Sequence, residues 1–185
     1  MTKNQLIELV SSQLIKLDKN NRLHPEVVSK LISVAMNQLL YDTFRKVPTE
    51  LDLMSKPYSL TIENGSAELP VTVYQLPESG QIRRFSMADN SVLTIVPEPL
   101  NGMSLYAHLD VGLIDTTPSF SLSGKTMTFN NLSDSITEIT VWLIPSFDAL
   151  EYDDTVYIPS GKSIDLYNIV SQLAGLSQPA NLLNQ

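Results

Sequence analysis

Apolar side chains recur at helical spacing in a long stretch near the start of the chain, from His24 to Lys46. Pro25 suits the first helical position, because it has no N–H to leave unpaired and its φ is already helical. The apolar stripe is wider than a coiled-coil seam and comprises Val27, Val28, Leu31, Ile32, Val34, Ala35, Met36, Leu39, Leu40 and Phe44. So broad a stripe predicts that more than one neighbour covers this helix. It is either an ordinary core helix or one that keeps a flank for an identical subunit.

A shorter apolar stripe precedes it and predicts a first helix over residues 4–17, with Thr2 as a candidate N-cap. A polar turn over residues 18–22 separates the two helices. Because a connection this short leaves little chain to travel, the two helices are expected to be antiparallel neighbours.

From Tyr58 the apolar period changes to two, which is typical of β-strands. Asn64-Gly65 predicts a tight hairpin turn, since both central residues of a type I′ turn need a positive φ. Further strands are predicted at residues 82–87, 92–96, 103–109, 120–122, 127–129 and 136–144. Short strands with no helical signal between them indicate an antiparallel sandwich or a small barrel.

The helical period returns after the acidic loop 148–154, in a third helix that Ser163 is expected to cap and Gly175 to end. The predicted fold is therefore α+β: an N-terminal helical hairpin and a C-terminal helix form a bundle, with an inserted antiparallel β-sandwich or barrel-like domain. The predicted segments are a helical hairpin (1–50), a β-rich insert (51–147), an acidic loop with the closing helix (148–175) and a tail (176–185).

Composition narrows the classes of function. None of the 185 residues is a cysteine, which excludes disulfides, thiolate zinc sites and cysteine nucleophiles. The formal net charge of −8 opposes binding to nucleic acid phosphates. Residues 1–18 lack the pattern of a signal peptide, and no apolar run approaches the length of a membrane span, so no membrane partner is expected.

The residues that carry chemistry form no recognisable catalytic or metal-binding pattern. His24 fits a helix-capping role and His108 a surface or core role, while the acidic loop lacks the ligand order of an EF-hand. Gly161-Lys162-Ser163 resembles the end of a P-loop, but Val156 stands where the first glycine is needed. Arg83 and Arg84 would point to opposite faces of a strand and are expected to form salt bridges. We therefore expect no enzymatic activity, no catalytic residues, no metal and no cofactor.

Three patterns along most of the chain resemble one family. These are the Leu17-Asp-Lys-x-x-Arg22 turn of the hairpin, the Asn64-Gly65 turn before Leu69-Pro70, and Tyr157-Ile-Pro-Ser-Gly161 followed by Ile164, Ile169, Val170 and Leu173. In this layout the chain resembles the head–tail connector proteins (tail-adaptor or ring proteins) of short-tailed bacteriophages, and is nearest in style to those of crAss-like phages.

The resemblance implies a structural virion protein in the neck or tail region, assembled in the host cytoplasm. It implies a homo-oligomeric, dodecameric ring below the portal protein, joined to other tail proteins, through which DNA passes without sequence-specific binding. A ring of this kind needs two different complementary surfaces on each subunit. We expect the outer flank of the long helix (Val34, Leu40, Tyr41) and exposed sheet edges to supply them. Leu182 and Leu183 are expected to anchor the tail on a neighbouring subunit.

A second interpretation is a carbohydrate- or protein-binding β module with a helical stalk. Trp142, Tyr106, Tyr152 and Tyr157 would then supply faces on which a sugar stacks. Trp142, however, lies in the most apolar strand, where we expect it to be part of the core. The two interpretations differ in the expected partner, which is a portal or a second copy in one case and a glycan in the other.

Overall fold

The chain folds as an α+β protein whose helices come from its two ends and whose strands come from its middle. The computed structural model describes residues 1–19, 22–87, 89–98 and 117–176. These residues form two units: a helical unit, made of Met1–Met54 and the residues from Ser146 onward, and a β unit, Ser55–Pro145. The predicted fold class is confirmed at this level.

Within the helical unit, three α-helices are described: α1 (Lys3–Leu17), α2 (Pro25–Lys46) and α3 (Ser163–Leu173). Two 3₁₀ helices, Pro48–Met54 and Phe147–Ala149, follow α2 and precede α3 respectively. α2 contacts both α1 and α3. The core of the unit is formed by buried apolar side chains, which include Leu6, Leu14, Ile32, Met36, Leu39, Leu40, Leu51, Phe147, Leu166 and Val170.

The helix ends follow from local chemistry, with one correction. Thr2 caps α1 as expected, and the Gln5 side chain completes a capping box. Gly175, with φ +73°, ends α3, where the N–H groups of Gly175 and Leu176 donate to the last helical carbonyls. The prediction that Ser163 caps α3 is wrong: Lys162 occupies the N-cap position, because the chain enters the helix one residue earlier and Ser163 is already helical.

In the β unit, eight strands are described: β1 (Lys56–Thr61), β2 (Ser66–Glu68), β3 (Ile82–Ser86), β4 (Val92–Leu93), β5 (Val96–Pro97), β6 (Ser119–Ser123), β7 (Thr126–Asn130) and β8 (Glu138–Leu143). They form two four-stranded sheets, in the orders β1-β8-β3-β4 and β2-β7-β6-β5. All neighbours are antiparallel except β5 and β6, which are parallel. The strand predicted over 103–109 lies outside the described residues.

Both sheets contribute to one apolar core. Phe85 of the first sheet lies edge-on to Phe120 and Phe129 of the second, at ring-centroid distances of 5.2 and 6.2 Å. The sheets, as far as their strands are described, do not close into a barrel, so the barrel alternative is wrong. Each sheet is a separate hydrogen-bonded set of strands, and side chains, rather than a continuous ladder, join the two.

The Asn64-Gly65 turn forms as the sequence predicts, but the strands before and after it do not pair with each other. Asn64 and Gly65 have φ values of +50° and +72°, and a single bridge pairs Glu63 with Ser66. Beyond that bridge the two arms separate, because β1 pairs with β8 and β2 pairs with β7. The turn therefore joins the two sheets instead of forming a regular hairpin.

Candidate functional site

An apolar stripe on α2 faces away from the core of the helical unit. Val27, Val34 and Tyr41 lie seven residues apart and are 45%, 47% and 43% exposed. Leu31, which is half-buried, and the exposed Gln38 continue the alternating spacing of four and three residues. This is the spacing of a coiled-coil seam, so a single helix or ridge of a neighbour can pack along it. We call these five positions the α2 stripe.

The opposite face of α2 is completely covered and includes one residue that we expected outside. Val34 and Tyr41 are exposed as required for an interface, but Leu40 is 0% exposed. It follows Ile32 and Met36 at intervals of four residues, which places it on the buried face of the helix. The prediction that Leu40 lies on the outer flank is wrong. Leu182 and Leu183 lie outside the described residues.

Polar groups border the α2 stripe. The guanidinium carbon of Arg45 lies 5.9 Å from the centre of the Tyr41 ring. At the other end, Lys30 Nζ lies 3.4 Å from Asp148 Oδ2, which also accepts a hydrogen bond of 3.1 Å from the Ser33 hydroxyl. An apolar centre with a charged border is the usual composition of a protein interface.

A second apolar surface is a groove in the helical unit between α1 and α3, with a volume of about 310 Å³. Its walls include Leu9 and Ile164, which are 47% and 68% exposed, and at its base Leu6 and Leu166 are each only 2% exposed. The Tyr167 hydroxyl donates a hydrogen bond of 3.3 Å to the Gln13 carbonyl and links the two helices. The described residues that line this groove include no carboxylate, histidine or lysine side chain, so its chemistry is the burial of apolar groups.

The acidic loop supplies hydrogen-bond acceptors to the first turn of α1. The carbonyls of Asp154 and Tyr152 accept hydrogen bonds of 2.9 and 3.0 Å from the N–H groups of Lys3 and Asn4. These N–H groups belong to the first turn of a helix, where they have no partner within the helix. The Asp154 carboxylate accepts a hydrogen bond of 2.9 Å from the Glu151 N–H. Across the described ranges, no three His, Cys, Asp or Glu side chains are grouped to hold a metal ion.

Lys3 fastens α1 to the same loop. Its side chain is buried, and its ammonium group donates a hydrogen bond of 2.6 Å to the Leu150 carbonyl. The same nitrogen lies 5.2 Å from the centre of the Phe147 ring and 5.6 Å from that of Tyr152. A carbonyl and two aromatic rings thus surround the charge, which explains how a lysine is accommodated there.

Arg84 covers one face of the Trp142 ring, on which the second interpretation expects a sugar to stack. The expectation that Trp142 is core is wrong: it is half-buried on the outward side of β8, because Val141 and Leu143 occupy the inward side. The Arg84 guanidinium carbon lies 3.8 Å from the centre of its ring and covers one face. Arg83 donates a hydrogen bond of 3.1 Å to the Gly80 carbonyl.

The two shifted pKa values belong to groups held by local hydrogen bonds and mark no catalytic pair. Hydrogen bonds from the Ser91 hydroxyl and N–H lower the pKa of Asp89 within a turn. A hydrogen bond to Asp165, at the start of α3, raises the pKa of Lys162. His24 caps α2, where its Nδ1 atom accepts a hydrogen bond of 3.4 Å from the Glu26 N–H, and His108 lies outside the described residues.

Comparison of the chain with models of known protein families finds no match, and comparison with curated proteins finds none either. Among the described residues, no helix is both long and apolar enough to cross a membrane. The two apolar surfaces of the helical unit are therefore the candidate functional sites among the described residues.

Proposed function

We propose that this chain is a non-catalytic structural subunit of a head–tail connector ring, which lies below a portal protein and joins capsid to tail. The observation that carries the proposal is the α2 stripe. Val27, Val34 and Tyr41 remain exposed at coiled-coil spacing on a helix whose other face is fully buried. A helix with an ordered apolar seam on its outer side is built to pack against another chain.

The three exposed apolar side chains of the stripe do not by themselves hold two free subunits together. Each of its three exposed apolar side chains has about half of its surface left to bury, which stabilises an interface by roughly 1 kcal/mol per residue. That gain is smaller than the estimated cost of about 4 kcal/mol or more for bringing two molecules together. A ring subunit has further contacts, because the stripe packs against a different surface of its neighbour and a portal that binds several subunits raises their effective concentration.

Within this proposal, α1, α2 and α3 form a three-helix bundle that presents the stripe to the next subunit. The second, different surface is a sheet edge; β1 and β4 lie at the two edges of the first sheet as described. The ring is dodecameric, binds the portal and other tail proteins, and surrounds the channel for DNA. The net charge of −8 supports this role, since an acidic channel wall repels DNA and lets it slide.

The test is the mass of the purified protein by light scattering, alone and mixed with a cognate portal. We expect a ring, or a monomer that the portal recruits. Val34→Glu should abolish assembly because it places a charge in the middle of the stripe. Asn37→Glu is the matched control, since it adds the same charge at an exposed position of α2 outside the stripe.

Circular dichroism of both variants should show unchanged helix content, which separates lost assembly from lost folding. A stable monomer that ignores the portal would contradict the proposal. Equal assembly by Val34→Glu and Asn37→Glu would also contradict it, because the stripe would then not be the interface.

A further inference from the structure

We infer that the groove between α1 and α3 is the docking site for the C-terminal residues of the same chain, which seat Leu182 and Leu183 between Leu9 and Ile164. The groove is large enough for apolar side chains, with a volume of about 310 Å³, and its most exposed wall residue, Ile164, is 68% exposed. This inference replaces the expectation that Leu182 and Leu183 anchor the tail on a neighbouring subunit, and it concerns one subunit by itself.

The length of the remaining chain matches the distance to be covered. Leu176 follows the Gly175 turn, at the end of the helix that forms one wall of the groove. Ile164 and Tyr167 lie twelve and nine residues before Leu176 in the sequence, so the distance along the helix axis is roughly 14–18 Å. Leu182 and Leu183 are six and seven residues beyond Leu176, and extended chain spans roughly 20–23 Å over that length. The two leucines can therefore return to the level of Ile164 and Tyr167, with little chain to spare.

The direction and the chemistry agree with this path. The Gly175 turn, in which the Leu176 N–H donates to the Ser171 carbonyl, stops the helix and redirects the chain. Residues 177–185 contain no charged side chain, and their bulky apolar residues are the adjacent pair Leu182 and Leu183. Among the described residues of the lining, the ionisable groups are Tyr167 and the terminal amine of Met1, and an uncharged apolar pair brings no further charge into the groove.

A docked tail would cover an apolar groove that is open among the described residues. Before any assembly, a second copy's tail meets the same groove only at the concentration of the protein in solution. The chain's own tail meets it at an effective concentration on the order of mM, as expected for a short flexible link. This difference is why we assign the groove to the same chain.

Disulfide trapping tests the assignment cleanly, because the protein has no cysteine of its own. The double variant Ile164→Cys with Leu183→Cys, oxidised at micromolar concentration in the full-length protein, should form an internal disulfide. The product should be a monomer whose mobility on a non-reducing gel changes and returns on reduction. The control pair, Ile164→Cys with Ser177→Cys, should not cross-link, because residue 177 adjoins the far end of α3, beyond the roughly 7 Å that a disulfide spans between Cα atoms.

Two outcomes would overturn the inference. Covalent dimers or higher species would show that the tail occupies a neighbour's groove, and absence of any cross-link would show that the leucines do not reach the groove.

A second measurement uses the apolar dye anilinonaphthalene sulfonate. Leu182→Ser with Leu183→Ser should increase its fluorescence severalfold, whereas Asn181→Ser with Asn184→Ser should not. Equal fluorescence of both variants and the native protein would contradict the inference. Assembly of the Val34→Glu variant reports on the ring alone, so failure of one proposal is distinguishable from failure of the other.

Discussion

The helical unit and the β unit are of similar size, but they distribute their apolar surface differently. Twelve of the fourteen exposed large hydrophobic side chains in the described parts of the chain belong to the helical unit. In the β unit only Val92 and Val96 are in this class, and the inward residues of both sheets form one shared core. Scattered exposed apolar residues are normal on a protein surface, but an ordered seam and a groove are not scattered. Among the described residues, the ordered apolar stripe and the groove therefore both lie on the helical unit, whereas the inward apolar side chains of the two sheets cover one another.

The largest expected effect tests where the covered side of α2 ends. Leu40→Asp should lower the free energy of unfolding by at least about 4 kcal/mol, because it removes a fully buried leucine and buries a carboxylate. Val34→Asp, only six residues away on the exposed side, should cost less than about 1 kcal/mol. Denaturant unfolding followed by circular dichroism at helical wavelengths measures both. A folded Leu40→Asp protein that has lost only assembly would show that Leu40 belongs to the interface after all.

A smaller loss is expected from Lys3→Ala, which tests how α1 is held to the acidic loop. The change removes the hydrogen bond to the Leu150 carbonyl and the contacts with two rings, and should cost about 1–3 kcal/mol. Lys16→Ala on the same helix is the control, since Lys16 is exposed in the last turn. Equal stability of the two variants, in the same denaturant titration, would show that the buried lysine contributes nothing specific.

Arg84→Ala addresses the β unit and should cost about 0.5–1 kcal/mol, the usual worth of an exposed cation–π contact. Trp142 is the only tryptophan, so its fluorescence reports on this contact directly. We expect a red shift of the emission, because water replaces the guanidinium over the ring. Arg45→Ala, which alters a comparable but longer contact in the helical unit, should leave the emission unchanged. A glycan that binds Arg84→Ala but not the native protein would support the carbohydrate-binding interpretation.

The smallest effect is a pH dependence at the start of α3. The hydrogen bond from Lys162 to Asp165, 2.7 Å long, raises the pKa of Lys162 above its ordinary value of 10.5. A raised pKa in the folded state means that the contribution to stability is complete below 10.5 and is lost as the pH rises through the higher folded value. The stability difference between the native protein and Lys162→Met should therefore be constant from neutral pH to about 10.5 and then vanish. A difference that grows in alkali would contradict this sign.

Sequence periodicity predicted the helices closely and the strands in part. Residues 4–17 and 24–46 were expected to be helical, and α1 and α2 span Lys3–Leu17 and Pro25–Lys46. A helix forms its hydrogen bonds within one segment, so local pattern and caps largely define it. The single strand predicted over 92–96 is instead two short strands in different sheets. Alternation predicts extended chain but does not name a partner strand.

The sequence likewise predicted only part of the candidate surfaces. The exposure of Val34 and Tyr41 agrees with their predicted place on the outer flank of the helix. The burial of Leu40 was not predicted, because a stripe of ten apolar residues does not show which of its flanks is covered by neighbours. Only the packing of α1 and α3 against α2 decided that the flank with Leu40 is inside. The groove was missed altogether. Its walls are apolar residues of α1 and α3, more than 140 residues apart in the chain, and no local signal links them.

The sequence by itself determined the helix positions, the Asn64-Gly65 bend and the α+β composition, since each depends on backbone preferences and on side chains close in the chain. Tertiary structure alone decided that this bend joins two sheets, that Lys3 and Leu40 are buried, and that an apolar stripe and a groove remain on the helices. These features depend on which distant segments meet, and the free energy of that choice comes from shared burial over the whole molecule.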